Sequence, residues 1–164
     1  DFILKDNLDR DIQCGTIQLD MFLPKRFELH FTNFNNEPEV PIVLHRAILG
    51  SFERFIGVML ENFKGYLPLF LAPTVIKILT ISDVYEVYAK KIKCKYSIEY
   101  DFSNRPLGAK KQAAQAEKAL YIGIIGGKNQ DSGTITLLNN MTQVQKDVNI
   151  HEIDTYLEEN WRCC

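Results

Sequence analysis

The stretch that decides the fold of the first half of the chain is HRAILGSFERFIG, residues 45–57. It closes an apolar run, and it opens a helix at Ser51, whose hydroxyl suits the N-cap position. Apolar side chains then recur every three or four residues, which is the spacing of one helix face. The stretch therefore predicts a buried strand over residues 40–45, followed by an amphipathic helix over residues 51–63.

The sequence before this stretch predicts further strands. Residues 14–21 alternate, with Thr16, Gln18 and Asp20 on one face and mostly apolar residues on the other, which is typical of a half-buried strand. The polar face carries little charge, so it suits a lined pocket as well as it suits solvent. A second strand is predicted over residues 26–32.

After Pro73, strand and helix patterns alternate along the chain. The predicted elements are strands at residues 75–81, 96–100, 121–125 and 134–138, and helices at residues 83–92, 109–119 and 149–160. A hairpin turn through residues 126–133 is predicted to join the last two strands. This order, β-α-β-α-β-β-α, predicts a partly parallel sheet with helices packed on it, so the fold class of the chain is α/β (α+β).

Length and composition limit the function. The chain has 164 residues, 24% of them charged, and a formal net charge of -2, which does not suit a protein that coats nucleic acid without specificity. Its four cysteines include no pair at zinc-knuckle spacing and indicate reduced thiols. The longest apolar run is far shorter than the roughly 20 residues that a membrane span needs. Because the chain starts at Asp1 and no signal peptide is visible, we expect part of a longer protein, cytoplasmic by default or organellar if a targeting segment was removed.

Two residues of the deciding stretch have alternative interpretations. His45 is either a satisfied core histidine or a metal ligand, since neutral imidazole commonly binds zinc. No other His or Cys falls at a matching spacing, so further ligands would have to come from outside these residues. Arg54 is either a solvated charge or a phosphate ligand, and Gly57 on the same helix face leaves room for an approaching group.

Three stretches of the first half resemble one enzyme family. QCGTIQLD (residues 13–20), LPKRF (23–27) and HRAILGSFERFIG (45–57) are similar to threonyl-tRNA synthetase around motif 3 of its class II catalytic domain. The similarity continues through PLFLAP (68–73), which resembles the junction to the next domain. The family is an aminoacyl-tRNA ligase, so the resemblance implies a role in protein biosynthesis.

The resemblance divides the chain into two domains. Residues 1–72 would be the last segment of a class II catalytic domain built on an antiparallel sheet. Residues 73–164 would be an α/β anticodon-binding domain with a mixed sheet.

The resemblance also implies roles for single residues. His45 would be one of three ligands of a zinc ion that binds the amino and hydroxyl groups of threonine. Arg54 would hold ATP, and Gln13 is assigned to catalysis with it. The side chains that would line the threonine and ATP pocket are those of Gln13, Thr16, Gln18, Ser51 and Arg54. The implied reaction is attack of the threonine carboxylate on the α-phosphate of ATP, which carries Mg²⁺, followed by transfer of threonine to the 3′ end of tRNA(Thr).

The second half resembles the anticodon-binding domain of the same family, with departures. Asn104 matches an asparagine that contacts an anticodon base, and Asn129, also assigned to anticodon binding, stands where the family has an acidic residue in the hairpin. Leu138 replaces an arginine, the side chain that normally reads a guanine edge, and Val75 replaces a glutamine. The resemblance therefore implies the domain fold, while base reading by these positions is an open question.

Several parts of such an enzyme have no counterpart in these residues. Motif 1, motif 2 and two of the three zinc ligands are missing, so we do not expect this chain to aminoacylate tRNA alone. The family resemblance implies a homodimer formed through motif 1, and the short apolar runs predict no membrane partner. The alternative hypothesis is a non-catalytic tRNA- or protein-binding module derived from a synthetase.

Overall fold

The computed structural model describes residues 1–161, and the chain divides into two compact units. Unit 1 comprises Asp1–Asn62 and unit 2 comprises Phe63–Cys164. Leu69 already packs in the core of unit 2, which is why this division lies ahead of the domain boundary predicted at residue 72. That predicted boundary concerns the limits of the family domains and stays a prediction.

Unit 1 is built on a three-stranded antiparallel sheet of order β1-β2-β5. Its elements are β1 (Phe2–Lys5), β2 (Asp11–Asp20), α1 (Leu23–Arg26), β3 (Phe31–Thr32), β4 (Pro38–Glu39), β5 (Val43–Ala47) and α2 (Phe52–Asn62). Strands β3 and β4 form a separate two-stranded hairpin. The predicted antiparallel segment is confirmed.

The hairpin between β1 and β2 contains an irregularity that matters for the site. Phe2 lies opposite Gly15, but Ile3 lies opposite Gln13, so Cys14 is an extra residue in β2. Such a bulge leaves two residues of one strand facing one residue of its neighbour. The alternation of β2 therefore changes phase at Cys14.

Two predictions for unit 1 are wrong. The strand predicted over residues 26–32 is instead the last residue of the short helix α1, a loop and the two-residue strand β3, and the helix itself was not predicted. Pro24 favours the first turn of a helix, and the carboxylate of Asp20 accepts the free backbone N–H groups of Phe22 and Leu23, both at 2.9 Å. The strand predicted to be buried over residues 40–45 begins later and is largely exposed.

The apolar faces of unit 1 are exposed within the described structure. Ile17 and Leu19 of β2, expected on a covered face, are 53% and 67% exposed. Helix α2 agrees with the predicted helix to within one residue at each end, yet its apolar stripe, including Phe52 and Ile56, contains no buried residue. Seven short elements are too few to cover both faces of a sheet, so pattern predicts the element here but not its burial.

Unit 2 contains a five-stranded mixed sheet of order β10-β9-β8-β6-β7. Its elements are β6 (Ile76–Thr80), a 3-10 turn (Asp83–Tyr85), α3 (Glu86–Ala89), β7 (Ile98–Asp101), α4 (Leu107–Ala116), β8 (Tyr121–Ile125), α5 (Gly127–Ser132), β9 (Thr134–Asn139), β10 (Gln145–Asn149) and α6 (Ile153–Asn160). Strands β7, β6 and β8 are parallel, and β9 and β10 are antiparallel to their neighbours. The predicted mixed α/β architecture is confirmed.

The core of unit 2 lies between the sheet and its helices. Its fully buried members include Ile76, Ile78, Leu137 and Leu157, and the single tryptophan, Trp161, packs against the same cluster. A helix of membrane-spanning length and hydropathy is not found among the described residues.

Two features of unit 2 differ from the prediction. The predicted turn over residues 126–133 contains helix α5, which ends at Gly133 in the left-handed region (φ 67°) that glycine adopts easily. The last helix was predicted to begin at residue 149, but Asn149 ends strand β10, which the prediction missed, and helix α6 begins at Ile153. Three of its five residues are Gln145, Lys146 and Asp147, so its polar, exposed character hides the strand pattern.

Candidate functional site

The polar side chains predicted in unit 1 gather on one face of its sheet. In the antiparallel pair of β2 and β5, Gln18 lies directly opposite His45, and Thr16 lies directly opposite Ala47. Residues that lie opposite each other in such a pair point to the same face. Thr16, Gln18, Asp20 and His45 therefore share one face of the sheet, which we call the polar face.

The bulge brings Gln13 to the polar face as well. Simple alternation would put Gln13 on the opposite face from Thr16, because the two residues are three positions apart. The register differs: Gly15 pairs with Phe2, and Gln13 pairs with the next residue, Ile3. Neighbouring residues of β1 point to opposite faces, so Gln13 lies on the face opposite to Gly15, which is the polar face.

His45 is hydrogen-bonded to Asp20. His45 Nε2 lies 2.9 Å from Asp20 Oδ2, with the imidazole about half exposed and the carboxyl group mostly buried. Hydrogen bonds from the backbone N–H of Leu23 and from His45 lower the pKa of Asp20 below its ordinary value, so the carboxyl group is ionised at neutral pH. Sequence analysis did not assign Asp20 to the site, although its position two residues after Gln18 puts it on the same face.

Ser51 and Arg54 lie at the start of α2. Ser51 Oγ accepts the backbone N–H of Arg54 at 3.3 Å, which confirms the predicted N-cap. The loop before it returns to the bulge: a Cβ atom on Gly50 would lie 3.2 Å from the carbonyl oxygen of Cys14. Arg54 is exposed and forms no salt bridge with any described residue. The start of α2 thus lies next to Gln13, with the arginine unpaired.

An open depression adjoins the polar face and can receive a ligand. Its lining includes Gln18, Asp20, Phe22, Lys25 and His45. Within residues 1–161 no three His, Cys, Asp or Glu side chains are grouped to hold a metal ion. His45 alone, half exposed and with one ring nitrogen not used by Asp20, fits the part of a single ligand in a metal site completed by other residues.

The loop after β7 presents Asn104 in unit 2. Asp101 holds the start of this loop. Its carboxylate accepts hydrogen bonds from the backbone N–H and the hydroxyl of Ser103 and pairs with Arg105 at 2.7 Å. Lys110 supports it from beneath, since its buried ammonium donates to the carbonyl oxygens of Thr80 and Asp101 at 3.0 and 3.3 Å. Asn104 is exposed, and no described residue forms a hydrogen bond with its amide.

Asn129 occupies a different environment. It is buried in α5, where its Oδ1 accepts the backbone N–H of Gly126 at 3.1 Å and its Nδ2 donates to Thr136 Oγ1 at 2.9 Å. Its own backbone N–H donates back to the carbonyl oxygen of Gly126 at 3.1 Å. In this conformation the amide of Asn129 is used within the protein, which favours a structural role over the predicted base contact.

Leu138 is also buried. It packs in a cluster with Leu79, Ala114, Ile122 and Ile124. A leucine here closes a small apolar core, and it supplies no donor at the surface. The exposed polar group among the residues discussed for base contact in unit 2 is therefore Asn104.

In comparisons with known proteins, two family models match separate parts of the chain. Residues 1–63 match the class II core domain of the tRNA synthetases for G, H, P, S and T, and residues 71–160 match the anticodon binding domain. The threonine–tRNA ligase of Chlamydia trachomatis (serovar L2b) is 37% identical over 99% of the chain and 26% of its own length. That of Buchnera aphidicola (strain Tuc7) is 43% identical over 85% of the chain and 22% of its own length.

A solved structure gives the same result. The crystal structure of the RNA binding domain of threonyl-tRNA synthetase from Cryptosporidium parvum Iowa II matches 96% of the chain with a TM-score of 0.79 and 31% identity, over 41% of that protein chain. The chain spans about a quarter of the length of the curated relatives it matches. Through residues 71–160 the chain belongs to the anticodon-binding domain family, and residues 1–63 match the class II core domain of the tRNA synthetases.

Proposed function

We propose that the protein containing this chain is a threonine–tRNA ligase that forms threonyl-adenylate from threonine and ATP and then loads tRNA(Thr). The observation that carries the proposal is the shared polar face, where Gln13, Thr16, Gln18 and His45 lie on one side of the sheet. Identity of 37–43% to threonine–tRNA ligases supports the choice of threonine.

Threonine would bind on the polar face. Gln18 lies directly across the strand pair from His45, so both side chains can reach one small ligand. A zinc ion held in part by His45 would supply Lewis-acid binding of the amino and hydroxyl groups of threonine. Hydrogen bonding to the hydroxyl would reject valine, since valine would leave the polar groups of the site without a partner.

ATP would bind at the start of α2. The Arg54 guanidinium can contact a phosphate bidentately and stack on the adenine, and it has no competing carboxylate among the described residues. Gly57 leaves that helix face open, because no atom lies within 4 Å of the Cβ that a larger residue would add. Gln13 and Ser51 would hydrogen-bond the adenylate, since the loop at Gly50 holds the start of α2 against the bulge.

The chemistry follows from these positions. The threonine carboxylate attacks the α-phosphate of ATP, and pyrophosphate with its Mg²⁺ leaves. Arg54 and the Gln13 amide would stabilise the charge that develops on the phosphate. The terminal ribose hydroxyl of tRNA then attacks the acyl carbon of the adenylate, and AMP leaves.

Unit 2 would bind the anticodon stem-loop, and Asn104 would contact a base. An exposed amide can pair with a base edge, and Asp101 and Lys110 hold the backbone of its loop. The burial of Asn129 and Leu138 limits base reading at their own positions. We propose further that the whole protein is a homodimer and works in the cytoplasm, or in an organelle if a targeting segment directs it there.

Threonine-dependent ATP–pyrophosphate exchange by the full-length protein tests this function. We expect exchange with threonine and not with valine, and loss of exchange in a His45→Ala variant. Lys25→Ala is the matched control, because Lys25 lines the same depression but has no proposed contact with substrate.

A second candidate function predicts the opposite result in the pyrophosphate-exchange experiment. If the protein is a non-catalytic module derived from a synthetase, no exchange will be measured, and tRNA(Thr) binding will be unchanged in the His45→Ala variant. The specific observation that favours this candidate is the loss of polar side chains from the surface at positions 129 and 138. Exchange with threonine would exclude it.

A further inference from the structure

Asp20 contacts His45 through one carboxylate oxygen and the backbone of residues 22 and 23 through the other. Oδ2 lies 2.9 Å from His45 Nε2, and Oδ1 accepts the backbone N–H groups of Phe22 and Leu23, both at 2.9 Å. Backbone N–H groups can only donate, so these two bonds fix which way the carboxyl group faces. The side chain of Asp20 is mostly buried, and the His45 ring is about half exposed.

This arrangement determines where the His45 ring carries its proton. A carboxylate oxygen only accepts hydrogen bonds, so Nε2 must donate to Oδ2. In the neutral ring the proton is then on Nε2, and the lone pair is on Nδ1. A metal ion binds a lone pair, so Nδ1 is the nitrogen left for it.

We propose that Asp20 is a positioning residue that selects the His45 tautomer whose Nδ1 can bind a metal ion. The proposal rests on the proposed function, in which His45 is a zinc ligand. A hydrogen bond between a carboxylate and the other ring nitrogen of a ligating histidine fixes the orientation of the ring and raises its basicity. Asp20 would not touch substrate or metal itself; it would act through His45.

An Asp20→Asn variant separates this role from a merely structural one. The two backbone N–H groups require an oxygen, so the amide must keep its oxygen toward Phe22 and Leu23. Its NH₂ group then faces His45 and donates to Nε2. That contact favours the opposite tautomer, with the proton on Nδ1, where the metal should bind. The variant keeps the shape and the cap of α1 but reverses the hydrogen bond.

The experiment measures zinc affinity of the full-length protein by competition with a chelator. We expect Asp20→Asn to bind zinc roughly 10–100-fold more weakly than the wild type. This range is typical when the hydrogen-bond partner of a zinc ligand is replaced. Asp20→Ala loses the cap but leaves the ring free to choose its tautomer, so it should bind more tightly than Asp20→Asn. Asp11→Asn, on the same strand and exposed, removes the same charge away from His45 and should bind like the wild type.

A second readout does not depend on metal. The ¹⁵N chemical shifts of the His45 ring in the zinc-free protein should report the proton on Nε2 in the wild type and on Nδ1 in Asp20→Asn. Unchanged thermal unfolding of Asp20→Asn would exclude a folding defect as the cause of weaker binding.

Two results for the variants would overturn the inference. One is wild-type zinc affinity in Asp20→Asn, and the other is tighter binding by Asp20→Asn than by Asp20→Ala. A wild-type protein that binds no zinc would also overturn it. Threonine-dependent pyrophosphate exchange on the same sample then tells whether the proposed function fails too, since exchange without zinc would leave that function standing.

Discussion

Asn104 and Asn129 carry the same amide but should respond in opposite ways to replacement by alanine. Asn129 makes two good hydrogen bonds, to the Gly126 N–H at 3.1 Å and to Thr136 Oγ1 at 2.9 Å, and its third contact, to Thr134 Oγ1, is long at 3.5 Å. Asn104 is exposed and has no side-chain hydrogen bond to a described residue. The pair therefore separates folding from RNA binding in one unit.

The cost of Asn129→Ala follows from these bonds. A net intramolecular hydrogen bond contributes about 1 kcal/mol, and a buried donor left without a partner costs about 1–3 kcal/mol. Losing two bonds and leaving the buried Gly126 N–H unpaired should lower the free energy of unfolding by about 2–4 kcal/mol. With a urea m-value of about 2 kcal/mol per M, the unfolding midpoint of unit 2 should fall by about 1–2 M.

The fluorescence of Trp161 provides the assay. It is the single tryptophan of the chain and packs against the core of unit 2, so urea titration reports the unfolding of this unit. Asn104→Ala should change the free energy of unfolding by no more than about 0.5 kcal/mol, as is usual for surface substitutions. The same variant should bind tRNA(Thr) more weakly. A stable Asn129→Ala variant, or an Asn104→Ala variant that unfolds early, would refute the reasoning.

Three further predictions concern single side chains. Gly57→Ala should stabilise α2 by about 1 kcal/mol, seen as slower amide hydrogen exchange, because the added methyl group meets no atom within 4 Å; a raised KM for ATP would show that nucleotide uses the same space. Gly123→Ala should destabilise unit 2 by about 1–3 kcal/mol in the urea assay, since the new Cβ would lie 2.6 Å from Ile135 Cδ1, and an unchanged midpoint would mean that the core adjusts freely. Burial raises the pKa of Tyr121 to about 12, so the phenol stays neutral in the folded state while the unfolded chain ionises near pH 10. Stability should therefore be lost between about pH 10 and 12, and Tyr121→Phe, which also removes a buried hydroxyl without a hydrogen-bond partner among the described residues, should reduce that loss.

The sequence predicted the elements whose patterns are strong and local. Helix α2 and strand β8 agree closely with prediction because their apolar spacing is regular and long enough to identify the element. Helix α1 was missed because its four residues are decided by Pro24 and by the side chain of Asp20 rather than by any repeat. Strand β10 was missed because it is mostly polar and exposed, and its place depends on pairing with β9.

The candidate site shows the same division between local and long-range information. The residue types at Gln13, Gln18, His45 and Arg54 were visible in the sequence, since motif spacing identifies them. Their arrangement required the register of three strands, which is set by contacts between distant segments. The Asp20–His45 hydrogen bond spans 25 positions and could be expected only once β2 and β5 were aligned. The contrast between Asn104 and Asn129 likewise depends on burial, which cannot be predicted from the residue type alone.

The side of the sheet that carries Gln13 depends on the bulge at Cys14 and not on the residue type there. Any substitution at this buried position leaves the number of residues between Gln13 and Thr16 unchanged, and with it the side on which Gln13 projects. Deleting Cys14 would restore simple pairing with β1 and keep Gln13 on the polar face, because Gln13 would then stand two positions before Thr16. Regular pairing of residues 13–16 without the bulge would instead turn Gln13 to the opposite side, so relatives of this chain should have either the bulge or a strand that is one residue shorter at this point.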